Sequence, residues 1–419
     1  MRKLGIVALG AAAALTLAGC ASGGTGGEEG AEIRVWLVGT DTPDEAREYL
    51  VETFEEEHPG SKLVIEEQSW EGLVDRLTTS LSGSDSPDVV EVGNTQASAF
   101  TSAGAFLDIT EYYDELGGDD LLPGFVEAGS YDDKFYAAPL YSGARLVFYK
   151  KDALAAAGLS APTTLDDYVA NGKALAAANP GKSGIWWPGQ DWYNALPFIW
   201  ENGGEVAVPD GEEWDAQLSS AESVAGLTQV QDVMTNASAA PKDANETGPE
   251  VGFCDGTTLQ LSAPSWVKWS ILAPTDAEAP GCPDQEANLG VYALPGKDGG
   301  AAQVFAGGSN IGISAKSAHP ELAIDALKII LSDEFQTIYG NGGLVPAKLS
   351  LADTLGTDEV AQAIAAAAGN AKLTPASPKW ADVEAAGILQ DLFVKIAQGG
   401  DVQALAEAAD EEIEAILNS

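Results

Sequence analysis

Histidine is nearly absent from this chain, with two among 419 residues. His58 and His319 each stand immediately before a proline, at positions typical of a helix boundary. With so few imidazoles, most Ser–His and Cys–His catalytic arrangements and most zinc sites are excluded. Residues 179–183 end like a phosphate-binding loop, but Ala176 occupies the place of its required glycine, and no EF-hand spacing is present. The sequence therefore predicts no metal site and no cofactor.

Positive charge is also scarce. Lys and Arg together number 21 against 64 Asp and Glu, for a formal net charge of −43. Such a chain repels polyanions, which excludes DNA and RNA as partners, and it lacks the polybasic segment of a membrane-surface binder. Because the acidic residues are spread along the chain, they indicate a solvated surface and do not identify a ligand. Because carboxylates are so numerous, counting them does not distinguish a glycosidase pair from chance pairs.

No apolar run is long enough for a comfortable membrane span. The one candidate is the run Leu4–Ala18. The residues Leu17–Cys20 close this run, in the pattern of a signal peptide with a lipoprotein cleavage box. We therefore expect residues 1–19 to be removed, Cys20 to carry lipid and residues 20–31 to form a flexible tether. The protein would then be anchored on the extracellular side of the cytoplasmic membrane. The alternative is an ordinary signal peptide with an incidental cysteine.

Cysteine is rare, with three in the whole chain. Besides Cys20 there are Cys254 and Cys282. An even pair of cysteines in an exported protein is a disulfide candidate, which would close the loop between these two positions. Two unpaired buried thiols are the alternative.

What the chain does contain is an alternation of strands and helices. The first three predicted strands are Ile33–Val38, Lys62–Gln68 and Asp88–Val92. A capping box, with Thr42 as N-cap, Pro43 as the first helical residue and Glu45 three positions after Thr42, is expected to begin the first helix. The βαβαβ order predicts an α/β fold with a mainly parallel sheet. Ligands of open α/β sheets bind beyond the carboxyl ends of the strands, which here are Gly39–Asp41, Ser69–Glu71 and Gly93–Gln96.

A glycine-containing kink at Tyr141–Gly143 divides two extended segments, and the αβ pattern starts again after it. The chain is also too long for one small core, so we expect two lobes, the second beginning at this kink. There, Trp266 follows a strand at Thr257–Ser262, in the same kind of position as Trp70 in the first lobe. The segment Gly307–Asn310 sets two glycines beside Ser and Asn, which would let a ligand approach the backbone closely.

The stretch Gly184–Gly204 concentrates six aromatic side chains, including four of the ten tryptophans. Amide and carboxylate groups are interleaved with them. An aromatic face can cover the C–H surface of a pyranose ring while polar groups take its hydroxyls, so the stretch is typical of a sugar site. The alternative is that these tryptophans pack in a core.

Several segments follow one another in a specific order. They are the lipobox at Cys20, PDVVEVGNTQ at Pro87–Gln96, GAFLDIT at Gly104–Thr110, YAAPLYSGARLVFYKKDAL at Tyr136–Leu154, APSW at Ala263–Trp266 and FAGGSNIGIS at Phe305–Ser314. From Ile33 onward the chain resembles the extracellular solute-binding proteins of carbohydrate ABC importers, the family that also contains maltose-binding protein. GNTQ, PGQDWY, IWENGG and GGSN are most similar to actinobacterial lipoproteins that bind N,N′-diacetylchitobiose and related oligosaccharides, although members with similar motifs take cellobiose, maltose or trehalose.

The resemblance implies a periplasmic-binding-protein type II fold, in which two α/β lobes joined by a hinge hold the ligand in the cleft between them. Lobe 1 would comprise residues 32–140 and 296–343, and lobe 2 residues 141–295 and 344–419. The crossings would lie near Leu140–Tyr141, Leu294–Gly296 and Gly342–Val345.

Motif positions also imply ligand-binding residues. Asn94 and Gln96 of the first lobe would contact hydroxyl or acetamido groups, and Trp70 would add an aromatic wall. In the second lobe the residues expected to stack on sugar rings are Trp192, Trp200 and Trp266, with Glu201 accepting from hydroxyls. The other candidates are Gly308, Ser309, Asn310, Tyr141 and Arg145. Pairing with an acidic neighbour is the alternative role for the arginine.

The implied function is that of a monomeric lipoprotein that closes on an oligosaccharide and delivers it, unreacted, to a membrane permease. Three alternatives stay open at this point: a secreted glycoside hydrolase, the same fold binding a non-sugar solute such as a glycerophosphodiester, a polyamine or iron, and a purely structural surface lipoprotein. The scarcity of basic residues disfavours the anionic solutes among these.

Overall fold

The computed structural model of the chain describes residues 30–211, 213–277 and 279–419. The expected signal peptide, the lipidation site Cys20 and the tether before residue 30 lie outside this part. The strands are β1 Glu32–Val38, β2 Lys62–Gln68, β3 Val89–Gly93, β4 Ser130–Tyr131, β5 Lys134–Phe135, β6 Ala137–Lys150, β7 Ala207–Asp210, β8 Glu213–Ala216, β9 Gln260–Pro264, β10 Leu289–Ala293, β11 Val304–Ile313, β12 Val345–Pro346 and β13 Ala371–Lys372.

The helices surround these strands. They are α1 Asp44–Glu57, α2 Leu73–Ser82, α3 Asn94–Ser102, α4 Tyr113–Leu116, α5 Pro123–Ala128, α6 Lys151–Ala156, α7 Leu165–Ala178, α8 Leu196–Glu201, α9 Ala221–Asn236, α10 Pro249–Cys254, α11 Val267–Leu272, α12 Pro320–Ile330, α13 Asp333–Asn341, α14 Glu359–Ala368, α15 Trp380–Ala385, α16 Ile388–Ala397 and α17 Val402–Leu417. Five of them begin at a residue whose side chain accepts from the backbone N–H three positions on, which satisfies a donor that the helix leaves free. These residues are Thr164, Ser220, Ser332, Asp358 and Asp401.

The predicted α/β fold is confirmed, but the sheet is mixed. Strand β1 pairs in parallel with both β2 and β3, as the βαβαβ order predicts. The main sheet has the order β10-β6-β11-β3-β1-β2, and β11 pairs antiparallel with both β3 and β6. The expectation of a mainly parallel sheet is therefore wrong, because the two long strands β6 and β11 run in opposite directions through its centre.

The expected capping box at the start of α1 does not form. Helix α1 begins at Asp44, and Pro43 in the N-cap position makes no side-chain cap. The Thr42 hydroxyl is buried and lies 2.8 Å from the Tyr339 hydroxyl on α13. The Thr42 side chain therefore makes a tertiary hydrogen bond instead of capping the helix as the local pattern predicted.

The two largest hydrophobic clusters among the described residues form what we call the first-lobe core and the second-lobe core. The first-lobe core includes Ile33 of β1 and Phe335 of α13, and the second-lobe core includes Phe198 of α8 and Trp380 of α15. Strand β6 contributes Leu140 to the first-lobe core and Leu146–Phe148 to the second. Strand β11 similarly contributes Ile311 and Ile313 to the first and Val304 and Phe305 to the second. Both strands therefore run unbroken from one lobe into the other.

The crossing expected near Leu294–Gly296 stays a prediction. Leu294, Ala302 and Phe305 all pack in the second-lobe core. Gly296 is part of a turn, in which its N–H donates to the Gly300 carbonyl at 3.0 Å. The glycine that suggested a hinge therefore takes part in a local turn. The remaining lobe boundaries stay predictions.

A disulfide joins Cys254, the last residue of α10, to Cys282. The N–H of Cys282 also donates to the Ile271 carbonyl of α11 at 2.7 Å. The bond therefore fastens the chain after α11 to the α10–α11 pair. No helix in the part of the chain that the structure describes is long and apolar enough to cross a membrane.

Replacing both cysteines by alanine (C254A/C282A) should lower the free energy of unfolding by roughly 3 to 4 kcal/mol, because the unfolded chain regains the entropy of an open loop of about 29 residues. Urea unfolding of the wild type and the double variant, each with and without reductant, measures the effect. Reductant should destabilise the wild type and leave the double variant unchanged. Equal midpoints for the oxidised wild type and the double variant would contradict the expectation.

Candidate ligand-binding site

A cavity of about 440 Å³ lies between the lobes, which we call the central cavity. Its volume is within the range of small-molecule sites, about 300–1,000 Å³. The first three strands lead into it at their carboxyl ends, where the topology predicts a ligand. Its lining residues are Asp41, Trp70, Gly93, Asn94, Thr95, Gln96, Tyr141, Gly143, Arg145, Tyr193, Glu246, Pro264, Trp266, Phe305, Gly307 and Gly308.

The first lobe brings a carboxylate into the central cavity. Asp41 Oδ2 accepts hydrogen bonds from Trp70 Nε1 at 3.1 Å and from the Tyr141 hydroxyl at 3.0 Å. Burial raises the pKa of Asp41, and these two donors oppose the rise by stabilising the charged form. The hydrogen bond also orients the indole of Trp70, which is 42% exposed. Asp41 is therefore held as an acceptor beside an available aromatic face.

The second lobe brings a pair of stacked aromatic rings. The Tyr193 and Phe305 rings are 4.7 Å apart at 26° and both line the central cavity. The Trp192 ring stacks 4.0 Å from the Tyr193 ring, and Trp192 is 2% exposed. The adjacent tyrosine lines the cavity, whereas Trp192 packs in the core, within 6.3 Å of Trp380, and its stacking on a ligand stays a prediction.

Arg145 pairs with an acidic neighbour, while its contact with a ligand stays a prediction. Its side chain is 3% exposed, forms an ion pair with Glu246 and donates from Nη1 to Asn194 Oδ1 at 3.0 Å. Its guanidinium lies 5.3 Å from the Tyr193 ring centre, an attractive cation–π distance. Arg145 Nε is buried and has no partner among the described residues. The arginine pairs with an acidic neighbour and also lines the cavity.

Glycines make room for Trp266, which also lines the central cavity. A Cβ built on Gly143 would lie 2.1 Å from Trp266 Cζ3, and one on Gly307 would lie 3.5 Å from the same ring. Gly308 has a φ of +145°, and a Cβ there would lie 2.3 Å from the Tyr141 carbonyl oxygen. The two crossing strands therefore need glycine where the indole and the backbone approach each other.

Two polar candidates of the first lobe have protein partners. Asn94 Nδ2 donates to the Ala306 carbonyl at 2.8 Å. Gln96 Nε2 donates to Glu384 Oε2 on α15 at 2.7 Å, and Thr95 Oγ1 donates to the same oxygen at 2.9 Å. Burial raises the pKa of Glu384, and its hydrogen bonds oppose that rise. The carboxylate thus bridges the two lobes at the edge of the central cavity.

Four more candidates lie outside the central cavity. Glu201 accepts from the backbone N–H groups of Lys297 and Gln303, both at 2.8 Å, so it fixes a loop. Ser309 and Asn310 are fully buried, and Asn310 Nδ2 donates to two backbone carbonyls. Trp200 lines a neighbouring cavity. Of the candidates in the segment 308–310, only Gly308 lines the central cavity, and the ligand contacts of all three stay predictions.

Several lining residues were not in the predicted set. Asp41 ends a segment that the strand order had already marked, and Tyr193 belongs to the aromatic stretch. Phe305 is the first residue of a recognised motif. Glu246 lies in a loop whose sequence gives no signal for it. Among the described residues, no group of three or more His, Cys, Asp or Glu is placed to hold a metal ion.

A family model described as bacterial extracellular solute-binding protein matches residues 39–337. The chain belongs to the bacterial extracellular solute-binding protein family. Within it, the diacetylchitobiose binding protein DasA of Streptomyces coelicolor is 32% identical over 366 residues, covering 86% of this chain and 84% of that protein. This solute-binding protein is not an enzyme, which removes the glycoside hydrolase alternative.

Solved structures confirm the type II fold. The sugar-binding protein MalE of Xanthomonas citri has a TM-score of 0.78 at 21% identity, covering 92% of this chain and 97% of its own. The GacH receptor of Streptomyces glaucescens has a TM-score of 0.77 at 18% identity, covering 94% and 100%. At such identities the likeness establishes the architecture of this solute-binding protein and does not identify its ligand.

A buried carboxyl lies beneath the cleft on β3. Glu91 is fully buried, and its Oε2 accepts from the Val38 N–H at 2.7 Å. Desolvation raises the pKa of Glu91 to about 8, against 4.5 for a free glutamate. The folded protein therefore binds a proton there that the unfolded chain releases at a lower pH.

This difference should make stability fall as pH rises. Between pH 5 and 8 the folded state holds the Glu91 proton and the unfolded state does not. Glu91 therefore lowers the free energy of unfolding by up to about 1.4 kcal/mol for each pH unit of increase. Glu91→Gln should remove that slope. Urea unfolding of wild type, Glu91→Gln and the exposed control Glu48→Gln at several pH values measures it. The same slope in all three proteins would contradict the assignment.

Proposed function

We propose that this protein captures an oligosaccharide, with an N-acetylglucosamine disaccharide such as chitobiose as the first candidate, and delivers it to an ABC permease. The observation that carries the proposal is the central cavity, which combines aromatic faces with fixed carboxylates between two lobes. The proposal includes a lipid anchor at Cys20 and a monomeric state.

The chemistry of the lining matches a neutral sugar. Tyr193 and Trp266 offer flat surfaces for the C–H faces of pyranose rings. Asp41 and Glu246 accept hydrogen bonds from hydroxyls, and Arg145 donates. Two carboxylates against one guanidinium disfavour an anionic ligand, because an added negative charge would meet a net negative lining. The S. coelicolor relative, named for diacetylchitobiose, supports an acetamido sugar as the first choice.

The arrangement of the lobes supports capture by closure. Asp41 and Trp70 come from the first lobe, whereas Tyr193 and Glu246 come from the second, so only a closed cleft brings all four against one ligand. The ligand would therefore bind the closed form more tightly than the open form and shift the population towards it. A closed, loaded shape is then what a permease can distinguish from the open, empty one.

Calorimetric titration with chitobiose, cellobiose, maltose and trehalose tests the proposal. We expect specific binding of at least one of them without cleavage. Binding by none of the four, together with no thermal stabilisation, would contradict it.

Tyr193→Ala should weaken binding of that sugar by about 1–3 kcal/mol, or roughly 5- to 150-fold, because the aromatic face is lost. Tyr193→Phe keeps the ring and should keep most of the affinity. Tyr131→Ala, at an exposed tyrosine outside the cavity, is the matched control. Equal affinities for Tyr193→Ala and the control would remove Tyr193 from the site.

Small-angle X-ray scattering should show a smaller radius of gyration when the protein is saturated with its sugar than when it is free, because closure brings the lobes together. Saturation is checked by calorimetry under the same conditions. Superimposable scattering curves for the free and the saturated protein would contradict capture by closure.

A further inference from the structure

A second cavity, of about 380 Å³, also lies between the lobes. We keep the name second cavity for the space bounded by Asn94, Ser98 and Glu127 on the first lobe and by Trp200, Trp214 and Lys372 on the second. A Cβ built on Gly124 of its first-lobe wall would lie 3.2 Å from Leu373 Cδ1 of the other wall. The lobes thus approach closely there, and a ligand in this cavity would also bridge them.

Hydrogen bonds to the backbone hold the strand that carries Trp214, an aromatic residue of the second cavity. Trp214 on β8 pairs with Pro209 on β7, and both line the cavity. The Trp214 N–H donates to Asn418 Oδ1 at 2.7 Å, and Asn418 Nδ2 donates to the Trp214 carbonyl at 2.9 Å. The backbone of this hairpin strand is therefore fixed to the end of the chain, and the partly exposed indole remains for other contacts.

The polar groups of the second cavity differ in their availability. Lys372 forms an ion pair with Glu205, and its Nζ lies 5.1 Å from the Trp200 ring centre. One face of Trp200 is thus covered, which leaves Trp214 as the more available platform. The Glu127 carboxylate is exposed and makes no hydrogen bond or ion pair to another described residue. An aromatic face opposite an acceptor repeats the combination of the central cavity.

The two cavities touch. Asn94 and Thr95 line both of them. Beside this shared wall, Thr95 Oγ1 and Gln96 Nε2 both donate to Glu384 Oε2. A sugar hydroxyl can accept from Gln96 and donate to Glu384 at once, so it can enter such a bond without leaving a buried group unpaired. A ligand of repeated hydroxylated rings is therefore suited to cross from one cavity to the other.

We propose that the second cavity is a further saccharide subsite, which takes the third ring of an oligosaccharide whose first two rings lie in the central cavity. The ring would be neutral, with its C–H face on Trp214 and a hydroxyl donated to Glu127. This inference rests on the proposed function, because it assigns the length of the same ligand.

Calorimetry with disaccharides and trisaccharides of the chitin, cellulose and starch series tests the subsite. The wild type should bind the trisaccharide of its preferred series about 5- to 50-fold more tightly than the disaccharide, in line with one aromatic stacking contact. Trp214→Ala should abolish that gain and leave disaccharide affinity within about twofold. Trp269→Ala, at an exposed tryptophan on α11, is the matched control and should keep the gain.

A second variant covers the case in which Trp214→Ala does not fold. Glu127→Gln changes an exposed side chain, and it should reduce the trisaccharide gain alone. Disaccharide binding with no trisaccharide gain in the wild type, or a gain that survives both substitutions, overturns the subsite while the proposed function stands. Absence of binding to every disaccharide and trisaccharide overturns both.

Discussion

The pairing of β6 with β11 is the constraint on which the rest of the molecule depends. The two strands stay hydrogen-bonded while they pass from the first-lobe core to the second, with Ala306 opposite Ala144 and Gly307 opposite Gly143. The register shifts between Ser309 and Asn310, where the side chains become fully buried. A cleft can lie here because the two strands continue through both lobes, whereas each lobe packs around a hydrophobic core of its own. The glycines at the crossing leave room for an indole where other residues would place a side chain.

Hydrogen bonds already present in the cleft limit how much a ligand can gain from polar contacts. Asn94, Gln96 and Tyr141 each have a protein partner, so a sugar hydroxyl must replace or share existing bonds and gains little from each exchange. The favourable surplus must therefore come from covering aromatic surface. Affinity in this protein is therefore expected to depend more on rings than on the count of polar contacts.

The sequence was most informative where the signal is local and repeated. The strand–helix alternation predicted the α/β fold, and the ends of β1, β2 and β3 do reach the central cavity. It was less informative about the aromatic stretch, where Trp192 and Tyr193 are neighbours with opposite roles. Composition treats the two alike, whereas one packs beside Trp380 and the other faces the cleft. Glu246 and Glu384 could not be found at all, since each acts through a partner far away in the chain.

The amino-acid sequence by itself determined the fold class, the family and several of the segments that line the central cavity, because periodicity and motif order are properties of neighbouring residues. Only the tertiary structure decided which side chains of those regions line the central cavity and which pack in a core. Those outcomes depend on strand facing, on the register between β6 and β11, and on contacts such as Thr42 with Tyr339, which join residues distant in the chain.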